Sequence, residues 1–148
     1  MKIAMGSDHG GAELKMELIK YIEEMGHEVT DFGVKIGEKG DYPKYGFKVA
    51  EEVAGGNFDC GIILCGTGIG ISIAANKVKG IRCAVTNEVF SAKMAKEHNN
   101  ANIISIGGRV VGSEVAKMIV SEYLNAEYQG GRHENRLCMI TDYDNEHN

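Results

Sequence analysis

The sequence predicts an α/β domain in which a five-stranded parallel sheet lies between two layers of helices. Short apolar segments alternate with longer amphipathic segments along the whole chain, and this alternation is typical of β-α-β units joined by right-handed crossovers. Glycine-rich clusters follow several of the apolar segments, as expected where strands end in loops. With 43% hydrophobic residues, residues 1–148 are long enough to form one domain with its own core.

Strands are predicted at five short apolar segments, namely Lys2 to Met5, Glu28 to Phe32, Gly61 to Leu64, Ile81 to Thr86 and Asn102 to Ile106. Helices are predicted at six amphipathic segments, namely Ala12 to Met25, Pro43 to Ala54, Ile71 to Val78, Val89 to His98, Ser113 to Leu124 and about Gly131 to Tyr143. In the first helix, Leu14, Leu18 and Ile22 recur at helical spacing. Pro43, the only proline, stands where the second helix can begin.

The most informative stretch runs from Cys60 to Asn76. Its apolar residues Gly61 to Leu64 predict a strand that is buried on both faces. Cys65 follows directly, and glycines then occupy the alternate positions 66, 68 and 70 before a helix begins. Such a loop can turn several peptide N–H groups toward a ligand, and a helix N-terminus favours negative charge. The pattern therefore predicts a ligand site beside a thiol.

Three other interpretations of this loop fit the sequence less well. A dinucleotide-binding fingerprint would need a glycine at position 71, which is Ile71, and would follow the first strand of the chain. A phosphate-binding P-loop would end in Gly-Lys-Ser or Gly-Lys-Thr, whereas Gly70 is followed by Ile71 and Ser72. Cys65 could also be an inert buried residue in a tight turn, although a glycine loop directly after the thiol favours a functional role.

The expected sheet topology brings two loops together. In open parallel sheets, ligands bind beyond the carboxyl ends of the strands, at the point where the strand order reverses. We expect the strand order 2-1-3-4-5, in which the first and third strands flank that reversal. This order places Asp8 and His9, in the loop after the first strand, beside Cys65 and the glycines that follow it. Asp8 could equally cap the first helix.

Five further polar residues are candidates for a site. Tyr42 ends the loop after the second strand on the same face, although it could simply form a turn. Arg109 follows the fifth strand on the face of the thiol. Arg132 and Arg136 lie four residues apart on the last helix, either as a solvated pair or with an anion between them. His98 ends the fourth helix at the opposite end of the sheet, where it either interacts with the helix dipole or serves a neighbouring subunit.

Composition excludes several function classes. A net charge of −5 argues against a nucleic-acid-binding surface. No apolar run is long enough to span a membrane, and the N-terminus leads directly into a strand rather than into a signal peptide. The four cysteines show no Cys-x-x-Cys spacing, so we expect reduced thiols in a cytoplasmic protein. No cluster of His, Cys, Asp and Glu has the spacing of a metal site, so no metal is expected.

Six motifs, in order along nearly the whole chain, resemble those of the type B ribose-5-phosphate isomerases. The wider family also includes galactose-6-phosphate and allose-6-phosphate isomerases. The motifs are Gly6-Ser-Asp-His-Gly-Gly, Asp41-Tyr-Pro, Cys65-Gly-Thr-Gly-Ile-Gly-Ile-Ser-Ile-Ala-Ala-Asn-Lys, Glu97-His-Asn, Gly108-Arg-Val-Val-Gly and Gly130-Gly-Arg-His-Glu-Asn-Arg. The resemblance implies a Rossmann-like three-layer sandwich and a homodimer with shared active sites, in which the C-terminal helix reaches the partner subunit. Whether dimers pair into tetramers stays open.

The activity that the resemblance implies is the interconversion of D-ribose 5-phosphate and D-ribulose 5-phosphate by an aldose–ketose isomerase, without metal or organic cofactor. Cys65 is then the base that moves a proton between C2 and C1 through an enediolate, and His98, with help from Thr67, opens the sugar ring. Peptide N–H groups hold the enediolate oxygens, and they belong to Gly66, Thr67, Gly68, Ile69 and Gly70. The sugar is positioned by Asp8, Tyr42 and Asn99, and the phosphate is bound by His9, Arg109, Arg132 and Arg136. One branch of the family has a Glu base where this chain has Ile71, which leaves proton transfer to Cys65.

The chemistry of these residue types agrees with the implied roles. Cysteine is a competent base as the thiolate, which nearby peptide N–H groups favour. Ring opening needs an acid–base group that titrates near neutrality, which suits His98. Two alternatives stay open, namely an isomerase of allose or galactose 6-phosphate and a non-catalytic phosphosugar-binding module. The presence of both Cys65 and His98 disfavours the second alternative.

Overall fold

Five strands and six helices alternate along the chain, and the computed structural model describes all 148 residues. The strands are β1 (Lys2–Ser7), β2 (Glu28–Asp31), β3 (Cys60–Cys65), β4 (Cys83–Val85) and β5 (Ile103–Gly107). The helices are α1 (Ala12–Glu24), α2 (Tyr42–Ala54), α3 (Ile69–Ala75), α4 (Val89–Glu97), α5 (Ser113–Asn125) and α6 (Arg132–His147). The predicted alternation is confirmed. The main differences from the predicted bounds are a shorter fourth strand and a last helix that continues to His147.

All neighbouring strands are parallel, and the sheet has the order β2-β1-β3-β5-β4. The predicted order 2-1-3-4-5 is therefore wrong for the last two strands. Every residue of β5 is buried, whereas the three residues of β4 are half-buried or exposed. A mostly apolar strand gains more from a central position, and a short strand is tolerated at the edge. The exchange places the end of β5, rather than the end of β4, directly beside β3.

Helices cover both faces of the sheet, which confirms the three-layer α/β arrangement. One face is packed by apolar residues of α1, α4 and α5, among them Leu18, Ala92 and Ile119. The other face is packed by α2 and α3, among them Val49 and Ile71. None of the helices combines the length and the apolar composition that crossing a membrane requires.

A buried lysine fixes the loop that follows β2. Lys15 on α1 is fully buried, and its Nζ donates to the Val34 carbonyl at 2.6 Å and pairs with Asp31 Oδ1 at 2.9 Å. The Asp31 carboxylate also accepts from the Gly33 N–H at 2.8 Å. Such a charge needs partners, because burying it unpaired costs several kcal/mol. The Val34 N–H donates to the Ser7 carbonyl, so the loop is held both against α1 and against the end of β1.

Candidate active site

Cys65 is the last residue of β3 and lies at the carboxyl edge of the sheet. Its side chain is buried, and the Gly68 N–H donates to its Sγ at 3.2 Å. Gly68 has a φ of +80°, a left-handed conformation that suits glycine and that brings this N–H back toward the sulfur. A hydrogen bond to the sulfur favours the thiolate, which is the reactive form of cysteine.

The loop after Cys65 presents peptide N–H groups that have no acceptor in the protein. They are the N–H groups of Gly66, Thr67 and Gly70. The Ile69 N–H donates to Thr67 Oγ1 at 3.1 Å, so the threonine hydroxyl supports the loop itself. Unpaired N–H groups beside a thiol can bind the negatively charged oxygen of a ligand.

Three loops meet at this edge because glycines allow their backbones to touch. A Cβ atom at Gly10, in the loop after β1, would lie 2.8 Å from the Gly66 nitrogen. A Cβ atom at Gly108, in the loop after β5, would lie 2.4 Å from the Gly10 carbonyl oxygen. The Gly108 N–H donates to the Cys65 carbonyl at 2.8 Å, and the Arg109 N–H donates to the Gly66 carbonyl at 3.0 Å. The adjacency of β3 and β5 thus brings Arg109 to the loop after the thiol.

A cavity of about 270 Å³ opens where the loops after β1 and β5 meet, and both His9 and Arg109 line it. Ile36 and Gly37, from the loop after β2, form another part of its wall. Glu13 on α1 adds a carboxylate to the lining. An imidazole and a guanidinium around one cavity suit an anionic ligand, because the guanidinium presents a fork of donors to its oxygens.

Asp8 and Tyr42 lie within the loops that surround this site. Asp8 is buried, and its Oδ1 accepts from the Gly10 N–H at 2.8 Å. It therefore closes a tight turn in its own loop, and α1 has no side-chain cap. The Tyr42 ring packs on the backbone of Gly70, because a Cβ atom at that glycine would lie 2.7 Å from the ring. The sequence placed both residues on the correct edge of the sheet.

Two polar residues that sequence reasoning missed hold the loop after Cys65 from its other side. Asn87, in the loop after β4, donates from Nδ2 to the Thr67 carbonyl at 3.1 Å and accepts from the Gly107 N–H at 2.8 Å. Ser105 on β5 is buried, and its Oγ donates to the Gly68 carbonyl. The position of Asn87 after a strand, at the carboxyl edge, is a signal that could have selected it. Ser105 offers no such signal, because its contact depends on β5 lying beside β3.

A second group of candidate residues lies at the opposite end of the sheet. The helix α4 begins beyond the carboxyl end of β4 and returns to the amino end of β5, so His98 and Asn99 lie far from the thiol. Together with Arg136 and His133 of α6, they line a cavity of about 180 Å³. Arg132 lies in the first turn of α6. Within one chain, the candidate residues therefore form two groups rather than one.

The imidazole rings of His98 and His133 are stacked in this second group. Their centroids are 4.3 Å apart and their planes differ by 16°. His133 is buried, and this burial lowers its pKa below the usual value for histidine. The neighbouring His98 imidazole and the positive charges of Arg132 and Arg136 lower the pKa of His133 further. His133 is therefore the neutral member of a cluster that is otherwise rich in positive charge.

The other three thiols differ from Cys65 in their surroundings. Burial raises the pKa of Cys60, at the amino end of β3, to about 12, and burial also raises the pKa of Cys83 on β4 to about 12. Cys138 on α6 is exposed, and local desolvation together with the neighbouring Glu134 carboxylate raises the pKa of its thiol. All three are protonated near neutral pH. No three His, Cys, Asp or Glu side chains lie together as a metal ion would require.

One family profile, described as Ribose/Galactose Isomerase, matches residues 3–140 of the chain. The chain is 52% identical over 140 residues to Ribose-5-phosphate isomerase B of Escherichia coli strain K12, which covers 95% of this chain and 94% of that protein. The solved structure of Clostridium thermocellum Ribose-5-Phosphate Isomerase B is similar, with a TM-score of 0.97, 51% identity and full coverage of both chains. Ribose-5-phosphate Isomerase B of Mycoplasma genitalium, solved with bound ribulose-5-phosphate, has a TM-score of 0.93 and 36% identity, covering 98% of this chain and 97% of that one. The chain therefore belongs to the ribose/galactose isomerase family of enzymes.

Proposed function

We propose that this chain interconverts D-ribose 5-phosphate and D-ribulose 5-phosphate, the reaction named for its relatives. One observation carries the proposal. The Cys65 sulfur accepts a hydrogen bond from the Gly68 N–H, and the same loop presents three further N–H groups without acceptors. An aldose–ketose isomerase must remove a proton next to a carbonyl and then stabilise the oxyanion that results. The loop offers a base and oxyanion donors side by side.

In the proposed mechanism the Cys65 thiolate takes the proton from C2 of the open-chain aldose and returns it to C1. The hydroxyl proton on O2 passes to O1 at the enediolate stage, so that the carbonyl moves from C1 to C2. The intermediate enediolate carries negative charge on oxygen, and the N–H groups of Gly66, Thr67 and Gly70, which have no acceptor in the protein, hold it. The Gly68 and Ile69 N–H groups already donate to Cys65 Sγ and Thr67 Oγ1, and they hold the loop in shape. By analogy with acyl-transfer sites, each such donor contributes roughly 3 kcal/mol to the stability of the charged intermediate. Cys60 and Cys83 do not compete for this role, because burial raises the pKa of each to about 12.

The phosphate end of the substrate is assigned to His9 and Arg109. Both line the cavity of about 270 Å³ that opens beside the loop after Cys65. Asp8, in the loop after β1, and Tyr42, whose ring packs on Gly70, position the sugar hydroxyls. Binding the phosphate away from the reacting carbons holds the flexible open chain in a reactive geometry.

His98, with help from Thr67, opens the furanose ring, and we propose that His98 acts in the site of a second copy of the chain. Asn99 positions the sugar and Arg132 and Arg136 bind the phosphate in that same site. This arrangement is supported by the separation of the two groups, because residues at the amino end of the sheet do not reach Cys65 within one chain. A two-fold symmetric homodimer contains two such shared sites.

The exposed apolar side chains of α6 support the proposed interface. Met139 is 71% exposed, Tyr143 is 63% exposed, and Ile140 between them is also exposed. Outside α6, Phe90 is 70% exposed and Ile73 is 57% exposed. Large apolar side chains grouped on one helix are typical of protein–protein contact surfaces. We infer that α6 packs on the partner subunit and carries its arginines to the partner's site.

The base is tested with Cys65→Ala and the matched control Cys60→Ala, which removes the thiol at the other end of the same strand. The proposal expects Cys65→Ala to abolish isomerisation while its fold and its affinity for ribose 5-phosphate are largely kept. Cys60→Ala should lose some stability, because it leaves a cavity, and should keep its turnover number. Near-normal turnover by Cys65→Ala would exclude Cys65 as the base.

The shared site is tested by mixing Cys65→Ala and His98→Ala subunits. Each variant alone is inactive, whereas a mixed dimer has one site in which both residues are intact. Random exchange should restore about a quarter of the wild-type activity, which is on average half of one site per dimer. Mass spectrometry verifies that the subunits have exchanged. If no activity returns after that exchange, the shared site is contradicted.

Substrate preference is tested by assaying five-carbon and six-carbon phosphosugars side by side. The proposal expects the highest kcat/KM with ribose 5-phosphate and much lower values with allose 6-phosphate and galactose 6-phosphate. A higher kcat/KM with a six-carbon substrate would replace the proposed substrate while keeping the isomerase chemistry. Binding of these sugars without any turnover would indicate a non-catalytic module instead.

A further inference from the structure

Asn87 makes two hydrogen bonds that join separate parts of the proposed active site. Its Nδ2 donates to the Thr67 carbonyl at 3.1 Å, and its Oδ1 accepts from the Gly107 N–H at 2.8 Å. An asparagine just before a helix usually serves as its cap. Here Glu88 caps α4 instead, accepting from the Phe90 and Ser91 N–H groups at 2.8 and 2.7 Å. Both polar atoms of the Asn87 amide are therefore used, one by the loop after β3 and one by the end of β5.

The peptide bond between Thr67 and Gly68 connects Asn87 to the thiol. This peptide is trans, so its carbonyl and its N–H point in opposite directions from one rigid plane. The carbonyl end accepts from Asn87, and the N–H end donates to Cys65 Sγ at 3.2 Å. Fixing one end of the plane fixes the other. A side chain that holds the carbonyl end therefore restrains the direction of the Gly68 N–H.

The next peptide of the loop is held in the same way. Its carbonyl, from Gly68, accepts from the buried Ser105 Oγ, and its N–H, from Ile69, donates to Thr67 Oγ1. Gly68 joins the two planes with a φ of +80°, a left-handed conformation that glycine adopts without steric cost. Both planes are therefore held by side-chain hydrogen bonds, from Asn87 and Ser105 outside the loop and from Thr67 within it.

We propose that Asn87 is a positioning residue of the isomerase, which orients the Thr67–Gly68 peptide so that its N–H supports the Cys65 thiolate. This inference rests on the proposed function, in which Cys65 is the base. Asn87 does not contact the sulfur, and it acts through the peptide plane. The second bond, from Gly107, keeps Asn87 in register with the loop that carries Arg109. Loss of the side-chain donor leaves the Thr67 carbonyl free to turn and takes the N–H away from the sulfur.

The test compares Asn87→Asp with Asn76→Asp. Asn76 makes the same pair of bonds elsewhere, since its Nδ2 donates to the Cys83 carbonyl at 2.9 Å and its Oδ1 accepts from the Cys83 N–H at 2.8 Å. Each Asp variant keeps the acceptor and loses the donor. Asn76 precedes the amino end of β4, far from the thiol, and has no part in the proposed mechanism.

Two measurements separate positioning from a merely structural role. The first is kcat with ribose 5-phosphate, which should fall at least about tenfold in Asn87→Asp with a smaller change in KM, because small misplacements of reacting groups cost up to about a hundredfold. The second is the rate at which iodoacetamide alkylates Cys65 in the substrate-free protein at neutral pH, mapped by mass spectrometry in a Cys138→Ser background. That rate should fall in Asn87→Asp, because the reacting sulfur loses the Gly68 N–H that supports negative charge on it. Both quantities should be unchanged in Asn76→Asp.

The outcomes also distinguish this inference from the proposed function. If Asn87→Asp keeps kcat and the alkylation rate within about twofold of the wild type, or loses no more than Asn76→Asp, the positioning role is refuted. Failure of the wild-type chain to isomerise ribose 5-phosphate would refute the proposed function alone. Alkylation needs no substrate, so its rate still tests the positioning role of Asn87 in that case. Asn87→Ser has a hydroxyl donor, but its side chain is too short to reach both partners. Its kcat should therefore be as low as that of Asn87→Asp.

Discussion

Replacement of Lys15 tests whether one buried ion pair holds the loop that shapes the cavity of His9 and Arg109. Lys15 is fully buried, donates to the Val34 carbonyl at 2.6 Å and pairs with Asp31 Oδ1 at 2.9 Å. In Lys15→Ala the Val34 carbonyl loses its charged donor and the Asp31 carboxylate loses its cation. The Asp31 side chain is 29% exposed, so water compensates part of this loss.

The expected cost follows from these contacts. Breaking a buried pair by removing one partner costs about 3 to 5 kcal/mol, and the partial exposure of Asp31 places Lys15→Ala near the lower value, at about 3 kcal/mol. At 2 to 4 °C per kcal/mol for a chain of this length, the melting temperature should fall by about 6 to 12 °C. Lys15→Met keeps the apolar stem without the charge. Its melting temperature should lie between those of Lys15→Ala and the wild type.

Lys48→Ala is the matched control. Lys48 forms a surface pair with Glu52 at 2.6 Å, and its side chain is 48% exposed, so its loss should cost less than about 1 kcal/mol. The chain has no tryptophan, so unfolding in urea is followed by far-UV circular dichroism, at one protein concentration for all variants. A Lys15→Ala variant that is destabilised no more than Lys48→Ala would refute the reasoning.

Two further predictions concern pH and backbone contact. Burial and positive neighbours lower the pKa of His133, so below about pH 6.5 the unfolded chain binds a proton that the folded chain does not. The free energy of unfolding in urea should therefore fall as the pH is lowered from about 7.5 to about 5.5. It should fall less in His133→Phe, which keeps the stacked ring but has no titrating group. An equal loss of unfolding free energy in both proteins would contradict this prediction. Gly108→Ala places a Cβ atom 2.4 Å from the Gly10 carbonyl oxygen, so the loops must separate and kcat should fall at least about tenfold. Gly112→Ala meets nothing within 4 Å and should keep kcat, and a Gly108→Ala variant with normal kcat would show that the loop contact is dispensable.

The sequence by itself determined the elements of the fold and the centre of the candidate site. Apolar periodicity and glycine positions are local signals, and they were sufficient to predict five strands, six helices and the loop after Cys65. The rule that ligands bind where the strand order reverses then placed Asp8 and His9 beside that loop. This succeeded although the predicted order was wrong, because β1 and β3 are neighbours in both orders.

Only the tertiary structure decided which strand lies beside β3 on its other side. Strand order depends on how much apolar area each strand buries against helices from distant parts of the chain, and no local pattern reports this quantity. The central position of β5 joins Gly108 to Cys65, gives Ser105 its contact with Gly68 and brings in Arg109. The contacts of Asn87 also depend on the tertiary structure, since both of its partners lie 20 residues away along the chain.

The position of α6 also depends on tertiary packing. The sequence placed His98 at the end of the sheet opposite the thiol, but it gave no sign that His133 would stack on it. That contact exists because α6 buries His133 and Leu137 against the rest of the chain. Local patterns therefore determined which segments fold and which loop carries the thiol. Long-range packing decided which side chains hold that loop in place, because such contacts join residues that only the folded chain brings together.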